Sequence, residues 1–264
     1  MKILVVQNRM GIGDTIIFLP FIKAISQKFN SPVNLLVKQS SKADQYLFQT
    51  KYIDQIIFLE KDKKNKNRHD GFFGSINLIQ DLRQYKFDKI FIFNSSIRFQ
   101  IIARFSRIPE IYQYPLFEKY KQHITDAAKK FIKENLKTEV NDDPEIQLDK
   151  DLILNSSKKF KIDKEKTNIL LGIGGSGPSK RIPAKTFLKL MDKISSEKKC
   201  MFFLATGKNE DEQIILNEIK NSKFNNICVP LDDFSIKDIL PIIKNCNISI
   251  CNDTGFSHLS SALG

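Results

Sequence analysis

Short apolar runs alternate with longer segments of helical period, and this alternation occurs twice along the chain. In the first half the runs are KILVVQ (2–7), VNLLVK (33–38), QIIFLE (55–60) and KIFIFN (89–94). In the second half they are TNILLGIG (167–174), CMFFLAT (200–206), NNICVPL (225–231) and NISICND (247–253). Near-continuous apolar runs are typical of parallel strands buried on both faces. The sequence therefore predicts an α/β protein with two Rossmann-like domains, each a parallel sheet with crossover helices.

A polar, lysine-rich stretch at 117–160 separates the two series and contains the break NDDPE at 141–145. We interpret it as the end of the first domain and a linker, which predicts domains at 1–155 and 165–264 with a hinge near 150–167. Helical periodicity predicts helices at 15–29, 41–50, 74–86, 97–107, 183–197, 209–221 and 235–245.

The composition indicates an ordered globular chain, since 41% of its 264 residues are hydrophobic. The longest apolar run, IIFLPFI at 16–22, is far shorter than the roughly 18–20 residues that span a bilayer. The start, MKILVV, lacks the pattern of a signal peptide, so the sequence predicts a cytoplasmic protein. Four cysteines without C-x-x-C spacing are expected to be free thiols.

The formal net charge is +12, which favours anionic partners such as nucleotides, phosphorylated glycans or an anionic membrane leaflet. A nucleic-acid partner is not predicted, because a lysine- and isoleucine-rich composition can also follow from genome composition. The densest basic run, KDKKNKNRHDG at 61–71, is interpreted as a solvated loop, with contact to a membrane or acceptor as the alternative.

The loop after the first strand, NRMGIGDTIIFLP at 8–20, combines glycines with an acid at the start of a helix. Gly11 and Gly13 permit a tight turn, which would bring backbone close to a ligand. Asp14 is either a capping acid of that helix or a general base at the floor of a cleft. Pro20 predicts either a kink or a helix that begins near Leu19.

The loop that opens the second half, GIGGSGPSKRIP at 172–183, has the composition of a phosphate cradle. Gly174, Gly175, Ser176 and Gly177 leave several backbone N–H groups for an anion nest, and Lys180 follows at once. The spacing is not that of a Walker A motif. The alternative is a flexible glycine-rich connection.

The closing stretch, CNDTGFSHLSSALG at 251–264, predicts a turn followed by a helix capped by Asp253. Thr254 and His258 then share one face with Ser261, an arrangement suited to the phosphates of a nucleotide diphosphate. A purely structural histidine is the alternative. In ATGKNEDEQ at 205–213, Glu210 and Asp211 could cap a helix or accept ribose hydroxyls, and the residues alone favour capping.

Four stretches in this order resemble glycosyltransferase family 9, the lipopolysaccharide heptosyltransferases: MGIGDTIIFLPFIKAISQKF, YKFDKIFIFNSS, GGSGPSKRIPAKTFLKLM and NDTGFSHLSSALG. The resemblance implies the GT-B architecture, with two Rossmann-like domains and a cleft between them. It also implies transfer of heptose, with inversion, from an ADP-activated donor to Kdo-lipid A or the inner core. A non-catalytic or truncated nucleotide-sugar-binding protein and a GT-B epimerase are the alternatives.

Roles for residues follow from the same resemblance. Asp14 would be the general base, on the acceptor side with Gly11 and Gly13. The donor would be bound by Gly175, Ser176, Lys180, Asp211, Asp253, Thr254, Gly255 and His258. The chemistry requires no metal or cofactor, because Lys180 and a helix N-terminus could stabilise the leaving diphosphate after domain closure. Ile182 stands where the family usually has an aromatic residue.

Family members usually continue for several tens of residues after this helix, so the resemblance implies an incomplete C-terminal domain. A fragment, or a second chain that covers the exposed sheet edge, would explain it. The expected partners are a nucleotide-sugar, a lipid-linked glycan acceptor and the inner face of the cytoplasmic membrane.

Overall fold

A computed structural model describes residues 1–61, 67–116, 122–175 and 177–264. These residues form two compact units, Met1–Glu145 and Ile146–Gly264. The first unit contains a five-stranded sheet and the second a four-stranded sheet, and all strand pairs in both are parallel. The predicted α/β class with two parallel sheets is confirmed.

The first unit has its strands in the order β3-β2-β1-β4-β5. The strands are β1 (Ile3–Gln7), β2 (Val33–Lys38), β3 (Ile53–Leu59), β4 (Lys89–Ile92) and β5 (Glu110–Gln113). The helices are α1 (Ile12–Phe29), α2 (Gly71–Tyr85), α3 (Ile97–Phe105) and α4 (Ile124–Leu136). The central strand β1 is buried along its whole length, which explains why it is apolar at every position but the last.

Helix α1 is continuous from Ile12 to Phe29 with Pro20 inside it. The helix therefore does not begin near Leu19, although Pro20 removes one backbone donor from its hydrogen-bond ladder. The helix predicted at 41–50 is wrong. Two short 3-10 turns, Gln39–Ser41 and Ala43–Gln45, replace it, because Lys42 between them has a left-handed φ of 49°.

The stretch interpreted as a linker contains two regular helices. Helix α4 buries Phe131, whose ring lies 5.3 Å from that of Phe93 and 5.1 Å from that of Tyr114, so it belongs to the first core. Helix α5 (Lys150–Lys159) belongs to the second unit, where Asn245 donates a hydrogen bond to the Ile153 carbonyl. The boundary between the units lies after Glu145, within the stretch 117–160 and before the predicted end of the first domain at 155.

The second unit has its strands in the order β8-β7-β6-β9. The strands are β6 (Thr167–Gly172), β7 (Cys200–Ala205), β8 (Cys228–Pro230) and β9 (Ile248–Cys251). The helices after α5 are α6 (Ala184–Glu197), α7 (Glu210–Lys220), α8 (Ile236–Lys244) and α9 (Gly255–Leu263). The four cysteines are free. Of the described helices, none combines the length and apolarity needed to cross a bilayer.

The first turn of α2 is packed directly against the chain that precedes it. A Cβ atom added at Gly74 would lie 2.1 Å from the carbonyl carbon of His69. His69 is held there because its backbone N–H donates to the Glu60 carbonyl, 3.0 Å away. Only glycine allows this close approach of the helix to the loop.

We expect Gly74→Ala to lower the free energy of unfolding by about 2 kcal/mol or more, because the new methyl group meets backbone that cannot move freely. Helix propensity alone would predict the opposite sign, a gain of about 0.5–1 kcal/mol. Chemical denaturation measures the difference. Gly177→Ala is the control, since a Cβ atom there meets nothing within 4 Å; a stabilising Gly74→Ala would contradict the packing.

Candidate functional site

Ligands of parallel α/β sheets bind at the carboxyl ends of the strands, where the loops to the helices lie. In the second unit those loops follow β6, β7 and β9, and they contain most of the residues that the sequence singled out. In the first unit Asp14 lies in the first turn of α1, which follows the loop after β1.

Lys180 and Asp253 form an ion pair in the second unit. The Lys180 ammonium lies 2.5 Å from Oδ2 of Asp253, although the two residues come from the loops after β6 and β9. The hydrogen bond from Lys180 holds the pKa of Asp253 below its usual value, with a smaller electrostatic contribution from His258. Both side chains are largely solvent-exposed. The pair is therefore accessible to a ligand.

Asn252, which the sequence analysis did not single out, fixes the loops after β6 and β9 to each other. Its buried side-chain amide donates to the carbonyls of Ile173 and Gly174 at 2.9 and 3.1 Å. Its own backbone N–H donates to the Gly172 carbonyl. This buried amide therefore fixes the loop that contains Lys180 relative to the turn that contains Asp253. Its position beside Asp253 in the NDTG turn is the only signal that could have pointed to it.

Glu212 is a buried carboxylate at the glycine-rich loop, and the sequence analysis missed it. Its Oε1 accepts a hydrogen bond from the Gly175 N–H at 2.7 Å. A Cβ atom at Gly207 would lie 2.4 Å from Oε2, so the loop after β7 also closes around this side chain. The Gly175 N–H was expected to be free for an anion nest. It is not, because Glu212 already occupies it.

The acids next to Glu212 have different surroundings. The Asp211 carboxylate lies 2.7 Å from the Arg181 guanidinium, although the angle there is not that of a hydrogen bond. Asp211 itself is exposed, whereas Arg181 is nearly buried. Helix α7 begins Glu-Asp-Glu, and its 3.6-residue period turns only the third of these acids, Glu212, inward. Ser176, also predicted to bind the donor, lies outside the described residues.

Helix α9 begins at Gly255, and its N-cap is Thr254, whose hydroxyl accepts from the Phe256 N–H at 3.1 Å. The predicted cap, Asp253, is one residue too early, and its carboxylate is engaged by Lys180. His258 is half-buried one turn into the helix. The positive end of the helix dipole thus lies directly after the Lys180–Asp253 pair.

In the first unit, Asp14 lies in the first turn of α1, directly after the tight turn at the end of β1. Gly11 is the N-cap and has a φ of 97°, a conformation that favours glycine, and Gly13 follows within the helix. The Asp14 carboxylate lies 3.6 Å from the Arg9 guanidinium and is about one third exposed. The buried side chain of Gln7 donates to the Asp14 carbonyl at 3.1 Å and fixes this turn.

Side-chain amides connect the carboxyl ends of β1, β4 and β5. The Asn94 amide donates to Asn8 Oδ1 at 3.2 Å. The Gln113 amide donates to the carbonyls of Asn94 and Ser96 at 3.1 and 2.9 Å. Three strand ends are thereby held together by polar groups that face the loop region.

A cavity of about 490 Å³ opens above these amides. Its walls combine the rings of Phe18, Phe93 and Tyr114 with polar groups of Arg9 and Asn94. The Tyr114 hydroxyl is buried and has no hydrogen-bond partner among the described residues, and burial raises its pKa. Aromatic rings beside amides and a guanidinium fit a ligand with hydroxyl groups and apolar faces, such as a sugar.

Comparison with known proteins gives a family. The model of glycosyltransferase family 9 (heptosyltransferase) matches residues 76–264. A search among curated proteins gave no match to this chain.

Solved structures of two bacteria are similar in fold. ADP-heptose LPS heptosyltransferase II of E. coli is 17% identical, with a TM-score of 0.72 over all of this chain and 82% of that one. A family 9 glycosyl transferase of Veillonella parvula is 17% identical, with a TM-score of 0.76 over all of this chain and 78% of that one. E. coli heptosyltransferase WaaC with ADP-2-deoxy-2-fluoro heptose is 12% identical, with a TM-score of 0.69 over all of this chain and 86% of that one.

The family model covers well over half of the chain, including Lys180, Glu212 and Asp253. The TM-scores of 0.72 and 0.76 establish the fold, which is of the GT-B type, and at 17% identity they establish the fold alone. The chain belongs to glycosyltransferase family 9 (heptosyltransferase) and is a glycosyltransferase.

Proposed function

We propose that the protein transfers heptose from ADP-heptose, with inversion, to the lipopolysaccharide inner core or Kdo-lipid A. The family is that of heptosyltransferases, and similar solved structures contain ADP or ADP-2-deoxy-2-fluoro heptose. The observation that supports the proposal best is the Lys180–Asp253 pair, 2.5 Å apart at the carboxyl ends of β6 and β9.

On the donor side, Lys180 would transfer its hydrogen bond from Asp253 to the diphosphate. A diphosphate bears more negative charge than one carboxylate, so the ammonium interacts with it more strongly. The N–H groups at the start of α9 would contribute a second positive field. Together they would stabilise the charge that develops on the departing diphosphate. Asp253, released from Lys180, could then accept hydrogen bonds from hydroxyls of the donor sugar, with Thr254, Gly255 and His258 beside it.

On the acceptor side, Asp14 would act as the general base. The acceptor hydroxyl oxygen forms its bond to the anomeric carbon on the face opposite the diphosphate, and its proton passes to Asp14. The bond between the anomeric carbon and the diphosphate oxygen breaks at the same time, which inverts the configuration. The cavity beside Arg9 and Tyr114 would hold the acceptor sugar, whose hydroxyls could pair with the polar groups of Arg9 and Asn94.

Lys180→Ala is expected to weaken ADP binding by about 10- to 100-fold, because a charge-assisted hydrogen bond contributes about 1.5–3 kcal/mol. Isothermal titration calorimetry measures the affinity. Lys223→Ala is the matched control, since Lys223 is also an exposed lysine of the second unit paired with an aspartate, Asp192. Equal affinities of the Lys180 variant and the wild type would argue against the phosphate role.

Asp14→Asn is expected to reduce transfer by about 10²–10⁴-fold while ADP affinity stays unchanged, since the amide cannot take the proton. Transfer from ADP-heptose to an inner-core acceptor, followed by mass spectrometry, measures it. ADP binding by the wild type without transfer from any of a panel of ADP-sugars would favour a non-catalytic binding protein instead.

Glu212→Ala is expected to lower the free energy of unfolding by about 1–3 kcal/mol, because it leaves the Gly175 N–H buried without an acceptor. It should also weaken ADP binding, since the loop before Lys180 loses its anchor. Glu212→Gln retains an acceptor oxygen and should recover most of both losses. Thermal denaturation and calorimetry of the two variants separate this role from a direct contact with ribose, for which Gln and Ala would differ little in stability.

A further inference from the structure

Two adjacent phenylalanines are displayed on the surface of the first unit. Phe72 is 77% exposed and Phe73 is 78% exposed, in the first turn of α2. Their ring centroids lie 5.9 Å apart. Large apolar side chains with so little burial contribute almost nothing to the stability of the fold, so a contiguous group of them indicates an interaction surface.

The turn that displays this pair is held rigidly. The buried imidazole of His69 accepts at Nδ1 from the Glu60 N–H, which leaves Nε2 to donate to Asp81, each at 3.0 Å. The Arg98 guanidinium donates to the His69 carbonyl at 2.6 Å and to the Ser75 hydroxyl at 2.9 Å. The two rings are therefore presented from a fixed position and not from a floppy loop.

Helix α3 lies beside α2 and also exposes apolar side chains. The Arg98–Ser75 bond joins the first turns of α2 and α3, and Arg83 joins their last turns by donating to the Phe105 carbonyl at 2.9 Å. Both helices expose further apolar side chains. We define the docking face as Phe72, Phe73, Ile76, Ile97, Ile101 and Phe105, each at least 39% exposed.

Exposed cations occur in the segments that carry or flank the docking face, beside the acids Glu60 and Asp70. The α3 segment IRFQIIARFSR at 97–107 contains three arginines and no acid. Arg104 and Arg107 are exposed, as is Lys61 before α2. The rest of the basic run, residues 62–66, lies outside the described residues. An apolar face bordered by cations fits the headgroup region of an anionic bilayer.

The position of one end of the face, Phe72 and Phe73, relative to Asp14 supports the same partner. In a parallel sheet the N-termini of all helices that follow strands lie at the carboxyl edge. Phe72 and Phe73, at the start of α2 after β3, thus lie at the same edge as Asp14, at the start of α1 after β1. A membrane that contacts the docking face would bring a lipid-linked sugar to the edge at which the base stands.

We propose that the docking face inserts its phenylalanine and isoleucine side chains into the interfacial region of an anionic lipid bilayer. The inference rests on the proposed function to the extent that the acceptor is lipid-linked. A second copy of the chain fits less well, because self-association through this face would oppose arginines to arginines in a protein of net charge +12.

Vesicle binding of the full chain tests this. We expect the wild type to co-sediment with vesicles of equal parts phosphatidylcholine and phosphatidylglycerol, more weakly with phosphatidylcholine alone, and less at high salt. The double variant Phe72→Ser/Phe73→Ser should lower the partition coefficient by about tenfold or more. Ile214→Ser is the matched control, because Ile214 is 52% exposed on α7 of the second unit and should leave binding unchanged.

Three results would overturn the proposal. They are unchanged vesicle binding by the double variant, no binding of the wild type to anionic vesicles, and a wild-type dimer in analytical ultracentrifugation that the double variant converts to monomer. Thermal unfolding should be the same in all variants, since the substituted side chains are exposed.

Activity assays separate this inference from the proposed function. We expect the double variant to transfer sugar to a deacylated, water-soluble acceptor as fast as the wild type does, and more slowly to the same acceptor embedded in vesicles. If the wild type transfers to neither acceptor, the proposed function fails while the vesicle-binding result still decides the docking face.

Discussion

Everything in this protein depends on the burial of its parallel strands. A strand covered on both faces must be apolar along its length, and its successor can reach a parallel position only through a crossover helix. All strands of a sheet then end at one edge. Lys180 and Asp253 are far apart in the chain but meet at this edge, because they follow the adjacent parallel strands β6 and β9. The same constraint places Asp14, in the first turn of α1, at the sheet edge where amides join β1, β4 and β5.

Carboxylates help to hold the loops after β6, β7 and β9 in place. Glu212 accepts the Gly175 N–H, and Asp253 accepts a hydrogen bond from Lys180. The two differ in exposure, because Glu212 is buried and Asp253 is open to solvent. A buried pair is costly to break, whereas an exposed pair can exchange partners with little loss. Glu212 therefore suits a permanent structural role, and Asp253 suits one that changes when an anion arrives.

The fold was predictable from the sequence because the apolar runs that form β1, β2, β6 and β7 are short and alternate with longer segments of helical period. Strand β5 was missed, since EIYQ lies at the sheet edge and is only partly buried. The stretch 117–160 is helix-prone, but α4 and α5 were given no bounds, because polar residues dominate it and leave only a narrow apolar stripe, which in α4 includes Phe131. For the site, the glycines and Lys180 were visible as a pattern. Glu212 was not, because which acid of Glu-Asp-Glu turns inward depends on where the helix begins.

Burial does not explain the rigid display of Phe72 and Phe73. Gly74 lowers the helix propensity of this turn but lets it pack on His69. Hydrogen bonds of His69, Arg98 and Asp81 stabilise the same turn. These interactions stabilise a conformation that leaves both phenylalanine rings exposed to water. If stability of the fold were the only requirement, polar residues could replace both phenylalanines without lowering the free energy of unfolding. Contact with an anionic bilayer would bury both rings, and the cations near the docking face would favour an anionic surface.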